Sequence, residues 1–245
     1  MKQKKPKILF FDIETSPNLA YVWSKYIEGS VIEIKDEWQL LSVAYKWAGD
    51  KKVRCITSQN QASDKRVAAA LHKLFSKADI LVAHNGDEFD IKKSKARFLF
   101  HGLPPSLNVP SVDTKKIAKR HFNFTSNALN DLGKFLNVGR KVKNNGFEMW
   151  KGCMAGDKKA WAAMVKYNKQ DVALLERIYY KLRPWMESHP NLSYLSTGGD
   201  GCGNCGSHNL KRWGFRPSPR GLRQRWLCKS CGGYTVTSVK KDLSR

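Results

Sequence analysis

The sequence predicts an α/β fold, a mixed β-sheet flanked by helices, with a small cysteine-rich unit behind it. Three observations carry this expectation. Short apolar runs rich in Ile, Val and Phe recur at 7–13, 39–47 and 79–83. Stretches with helical spacing stand between and after them, the longest at 158–183. Two C-x2-C pairs, Cys202/Cys205 and Cys228/Cys231, follow a Pro-, Ser- and Gly-rich segment at 188–201. Strands followed by helices imply a sheet layered with helices.

Each element has its own warrant. KILFFDI at 7–13 is short and apolar, as a buried strand requires. Residues 39–47 and 52–57 read as a hairpin turning through Ala48, Gly49, Asp50 and Lys51. A helix over 63–77 begins at the capping residue Ser63 and places Val67, Leu71, Leu74 and Phe75 on one face. DILVA at 79–83 is another strand, and a short one is expected near 109–112. Helices are expected over 87–101, 114–121, 127–136 and 158–183. The predicted organisation is a first domain over 1–187, a linker over 188–201 and a second unit over 202–245.

The 245 residues include 44 Lys+Arg and 21 Asp+Glu, a net charge of +23. Such an excess costs self-repulsion and points to a polyanionic partner, nucleic acid first. It is densest at the end of the chain. Residues 196–245 hold 10 basic and 2 acidic side chains, and no acid stands between Cys202 and Val239. No apolar run reaches the roughly 18 residues that span a bilayer. The basic start leads into only Ile8 to Phe11 before Asp12, too short for a signal-peptide core. The expectation is a cytoplasmic protein without a membrane partner.

Carboxylates recur in three places. Asp12 and Glu14 lie two apart at the end of the first strand, so they share a face. Two carboxylates side by side on a buried strand need a cation or a proton. Asp90 closes HNGDEFD, directly after the strand 79–83. Asp171 stands on the apolar arc of the long helix, near Met164 and Leu175, with Tyr167 four residues before it. A carboxylate on a buried stripe is costly unless it is paired with a base or bound to metal.

In this order and spacing, D-x-E, N-x3-F-D and Y-x3-D resemble the three-motif signature of the DEDD 3′–5′ exonuclease superfamily, in its tyrosine subclass. DIETSPNLAYVW, HNGDEFD and YNKQDV are similar to stretches of stand-alone exonucleases from bacteriophages and prophages, which would place the protein in a host cytoplasm. The resemblance covers residues 7–187. It implies a ribonuclease H-like fold and two divalent cations, Mg2+ or Mn2+, held by Asp12, Glu14, Asp90 and Asp171. By the same analogy Asp12 bridges the two ions, Glu14 and Asp171 complete one site and Asp90 serves the other. Tyr167 would orient the attacking water. The implied activity is release of nucleoside monophosphates from the 3′ end of DNA, with RNA as the other substrate. The alternatives are an inactive nucleic-acid-binding module or a subunit that docks on a replication or recombination protein.

Substrate contacts are expected from two further places. Phe89 either packs in the core or stacks on a terminal base, and Asn85 either bonds the nucleic acid or holds its turn. The segment 139–151 is basic, with Lys141 and Lys143, and carries Phe147 and Trp150. Its composition suits a loop that touches a single strand.

The four terminal cysteines have zinc-ligand spacing, C-x2-C, then 22 residues, then C-x2-C. They resemble the zinc ribbons of nucleic-acid enzymes, with one structural Zn2+. Lys211, Arg212, Arg216, Arg220, Arg223 and Arg225 lie between the pairs, interleaved with Trp213 and Trp226. Cations and aromatics together suit phosphate contact and base stacking. Cys55 and Cys153 are expected as reduced, unpaired thiols.

Overall fold

The computed structural model describes residues 5–26, 29–59, 62–106, 108–142, 145–219 and 221–238. The chain begins with β1 (Ile8–Thr15), then a small exposed hairpin of β2 (Leu19–Tyr21) and β3 (Glu33–Asp36). Next come β4 (Leu40–Trp47), β5 (Arg54–Thr57), α1 (Lys65–Lys77) and β6 (Ile80–Ala83). These lead to α2 (Asp90–Phe100), β7 (Ser111–Asp113), α3 (Thr114–His121) and α4 (Leu129–Phe135). Two more helices, α5 (Phe147–Met154) and α6 (Lys158–Leu182), complete the body. A one-turn α7 (Ser193–Ser196) precedes the terminal strands β8 (Leu210–Ser218), β9 (Gly221–Cys228) and β10 (Tyr234–Ser238).

The central sheet has five strands in the order β5-β4-β1-β6-β7. β1 runs antiparallel to β4 and parallel to β6, so the sheet is mixed, as expected. Side chains of a strand alternate between faces, and β1 shows it. Ile8 and Phe10 join the cluster of Leu132, Val172, Leu175 and Tyr179 under α4 and α6. Leu9, Phe11 and Ile13 join Val67, Leu71, Phe75 and Phe98 under α1 and α2. Asp12 and Glu14 continue the Phe10 series, and this turns both carboxylates toward α6.

Asp157 caps α6, its carboxylate accepting from the Lys159 and Ala160 N–H groups at 3.1 Å. This ties off two of the N–H groups that a helix start leaves unbonded. Asp90 begins α2 where the chain leaves the end of β6, next to the end of β1. Sheet pairing and helix packing therefore deliver all the predicted acids to one end of the sheet.

Two secondary-structure elements differ from the sequence reading. Residues 147–151 of the expected loop are helical, because Met149 and Cys153 bury against Trp161 and Met164. The β2–β3 hairpin was not foreseen, since its strands are short and largely exposed, without a buried face to impose a pattern. Segment 188–201, of linker composition, is packed. Leu192 is buried in the body's core, and its N–H donates to the Gly203 carbonyl at 2.7 Å. No helix among the described residues is long and apolar enough to cross a membrane.

Candidate active site and metal centres

Asp12, Glu14 and Asp171 converge at the end of β1. One oxygen from each lies within 4.8 Å of the others. Asp90 sits beside them, its Oδ1 accepting from the Ile13 N–H at 3.0 Å, and is almost wholly buried. Four acids thus meet from three segments that are far apart in sequence, β1, the start of α2 and α6.

Their charges are in conflict. Burial, then the charges of Asp90, Glu14 and Asp171, hold the Asp12 carboxyl well above its ordinary value. Burial and Asp171 push Glu14 up to about 8. Burial lifts Asp90 to about 7, against the hydrogen bond from Ile13. Buried like charges favour a proton or a cation at the site. Asp171 Oδ1 is buried without a hydrogen-bond partner among the described residues. A buried oxygen of this kind is costly unless something supplies its missing partner. Carboxylate oxygens are the ligands that hard divalent cations take, so the residues present fit Mg2+ or Mn2+.

Two further side chains enter the cluster. Lys141 was expected at nucleic acid, but its ammonium lies 2.6 Å from Asp171 Oδ2 and donates to the Tyr167 hydroxyl at 3.0 Å. Its backbone N–H donates to Asn130 Oδ1 at 3.0 Å, which ties this stretch to α4. Burial works against the ammonium, yet the Asp171 charge and the two hydrogen bonds hold its pKa above the ordinary lysine value. Asn168 was not foreseen. Its amide donates to Asp12 Oδ2 at 2.6 Å, and its Oδ1 accepts from Ser42 Oγ at 2.9 Å. A signal existed: Asn168 stands four residues from both Met164 and Val172, in the middle of the apolar arc, where an amide needs a partner.

Tyr167 is half-buried and edge-on to Trp150, with ring centroids 6.1 Å apart. Burial raises its hydroxyl above the ordinary value, so at neutral pH it can orient a water but not abstract its proton. Asn85 adopts φ of 65°, and its N–H donates to Asp113 Oδ1 at 2.9 Å, which gives its backbone a turn-holding task. His84 pins the same turn between Thr114 Oγ1 and the Asn127 carbonyl; burial depresses its pKa to about 4. Phe89 is exposed, with Lys93 Nζ 5.5 Å from its ring centroid, so it is not a core side chain. Lys143 and Arg220 lie outside the described residues.

The second centre is the Cys202, Cys205, Cys228 and Cys231 cluster. Sulfur separations are 3.7 Å for Cys202–Cys231 and 3.6 Å for Cys205–Cys228. Four thiolates about 2.3 Å from a tetrahedral Zn2+ lie roughly 3.8 Å from one another, so the spacing fits zinc. The two knuckles match: the Gly206 N–H donates to the Cys202 carbonyl, and the Gly232 N–H to the Cys228 carbonyl. Both glycines have positive φ, 73° and 77°, which lets the chain turn back under the four sulfurs. Cys55 and Cys153 are unpaired thiols, and burial pushes both up to about 11.

A family model described as the RNase_H superfamily matches residues 9–183. Comparison with curated proteins yields no match. Among solved structures, the fold is similar to that of the family B DNA polymerase from the hyperthermophilic archaeon Pyrobaculum calidifontis. The TM-score is 0.57 at 16% identity, over 80% of this chain and 26% of that one. This chain therefore corresponds to about a quarter of the polymerase.

Proposed function

Because the chain belongs to the RNase H superfamily, we propose that it is a divalent-metal-dependent 3′–5′ exonuclease that releases nucleoside monophosphates. The observation that carries this reading is the convergence of Asp12, Glu14 and Asp171 with one buried oxygen, Asp171 Oδ1, left without a partner among the described residues. Asp12, Glu14, Asp90 and Asp171 would hold two Mg2+ or Mn2+ ions. When bound, these supply an activated water and stabilise charge at the scissile phosphate and the leaving 3′ oxygen.

The chain's own residues do the positioning. Asn168 fixes the Asp12 carboxylate by a 2.6 Å hydrogen bond from α6. Lys141 fills one lone pair of the Tyr167 hydroxyl, so the phenolic proton is directed away from the ammonium and can meet a water. The same ammonium offsets part of the negative charge, which helps a phosphodiester approach four acids. Phe89, exposed and directly before Asp90, offers a ring to a terminal base. DNA is the first expected substrate and RNA the second. In this reading the chain divides into a catalytic domain over 1–187 and a zinc ribbon over 202–245 that retains the strand.

The test uses single- and double-stranded DNA and RNA, labelled at the 5′ end, with Mg2+, with Mn2+ or without added metal. Stepwise shortening from the 3′ end that depends on the metal supports the reading. Cleavage at internal positions, or shortening from the 5′ end, contradicts it.

A further inference from the structure

The ribbon sheet has two faces, and its pairing decides which side chains share one. Residues paired directly across antiparallel strands project to the same side. β9 pairs with β8 through Lys211↔Leu227, Arg212↔Trp226, Phe215↔Gln224 and Arg216↔Arg223. It pairs with β10 through Tyr234↔Leu227, Thr235↔Trp226 and Val236↔Arg225. Lys211 and Arg216 are five apart, and strict alternation would set them on opposite sides. A bulge between Arg212 and Phe215 prevents this. Gly214, at φ of 76°, is the extra residue. One face therefore gathers Lys211, Trp213, Arg216, Arg223, Arg225 and Tyr234.

On this face the Trp213 and Tyr234 rings are 44% and 51% exposed, with centroids 6.3 Å apart. From Cys202 to Val239 the sequence offers no acid to these four cations. The opposite face carries one cation on the described strands, Arg212, whose guanidinium lies 5.6 Å from the Trp226 ring centroid. The body attaches elsewhere, at the first knuckle: Asn204 donates to the carbonyls of Arg183 and Met186 at 3.0 and 3.3 Å.

We infer that this bulge-aligned face of the ribbon is a binding platform for single-stranded nucleic acid. The inference rests on the proposed function and deepens it by locating where the strand is held. A duplex presents phosphates, with its bases already stacked on one another. Exposed rings flanked by cations match unstacked bases joined by phosphates, because every base offers a π-face.

The test measures binding of fluorescent dT20 to the full-length, zinc-loaded chain across a salt series, in an Asp12→Asn background that spares the oligonucleotide. Each phosphate contact contributes about 0.7 to the slope of log affinity against log salt on single strands. Arg216→Ser with Arg223→Ser should flatten the slope by about 1.4, and Arg212→Ser should leave it unchanged. Trp213→Ala should weaken binding about fivefold to a hundredfold at fixed salt. With the unsubstituted face, photocrosslinking of a bromouracil oligonucleotide should label Trp213 or Tyr234. Equal slopes for Arg212→Ser and Arg216→Ser, or crosslinks confined to residues 1–187, would overturn the inference. Duplex binding as tight as dT20, with no cost from Trp213→Ala, would mean that the face takes phosphates alone. Face-dependent binding by a chain that cannot hydrolyse would remove the exonuclease reading and leave the platform. Metal-dependent hydrolysis with face-indifferent binding would do the reverse.

Discussion

In the sheet body, Phe10, Phe11 and Tyr179 are fully buried, and each side of the sheet closes over its own apolar cluster. In the ribbon, β8 is exposed along nearly its whole length, and the buried Cys202 and Cys228 are themselves candidate ligands. The body has a core that can order it without metal, at the cost of crowding four acids at one end. The ribbon has little apolar surface to bury, and a Zn2+ on its four cysteines would supply the order that a core does not. One centre thus uses the fold's stability to hold groups that repel, and at the other a bound metal would supply stability that the fold lacks.

Zinc removal should break this symmetry most visibly. Structural zinc contributes about 10–16 kcal/mol to small domains of this kind. With the ion withdrawn by a mercurial reagent, or in Cys228→Ser, hydrogen exchange should show protection lost over 210–238 and kept in β1 and α6. Protection lost from β1 as well would mean that the Asn204 bonds to the body make the two units a single cooperative one.

The acids should show the converse. Asp12→Ala and Asp171→Ala should each lower metal-dependent turnover by roughly a thousandfold or more, the scale of losing a main electrostatic group, while circular dichroism stays that of the parent. Near-parental turnover in either would remove the assignment. The same crowding predicts a pH effect without added Mg2+. Glu14 is raised from 4.5 to about 8, so the folded state binds the proton more tightly than the unfolded one. Its contribution is full below about pH 4.5 and is lost as pH rises through about 8. The urea midpoint of the body should therefore fall between pH 5 and 8. Mg2+ at pH 8 should restore it, and Glu14→Gln should flatten the profile.

Smaller effects sharpen the picture. Asn168→Ala should cost about 10–100-fold in activity or Mg2+ affinity, the range for a residue that orients a ligand. Steady-state rates over a Mg2+ titration would measure this, and an unchanged titration would make Asn168 a packing residue only. Tyr167→Phe should cost least, about 2–10-fold in turnover, since one neutral hydrogen bond is lost and no charge. A loss as deep as that of Asp12→Ala, with metal binding intact, would give the hydroxyl a larger part than orientation.

Much of this was legible in the sequence, and what was legible is local. Alternation in β1 put Asp12 and Glu14 on one face, and the helical period put Asp171 on the buried arc of α6. Helix α5 was hidden because 139–151 has loop composition, and only burial of Met149 and Cys153 against α6 makes its second half helical. Phe89 carried two readings, and tertiary packing leaves it exposed.

By itself, the sequence determined the order of the five central-sheet strands and of the helices α1 to α4 and α6, the shared face of the first two acids, and the four cysteines with their zinc-ligand spacing. Each of these follows from periodicity or ligand chemistry within a few dozen residues. Only the tertiary structure joined Asn168 to Asp12, because the two are 156 positions apart and their contact depends on α6 packing across β1. It also decided that Lys141 pairs with Asp171, and that a bulge at Gly214 brings Arg216 onto the face of Lys211. Contacts of that kind come from chain folding back on itself, and residue spacing carries no record of them.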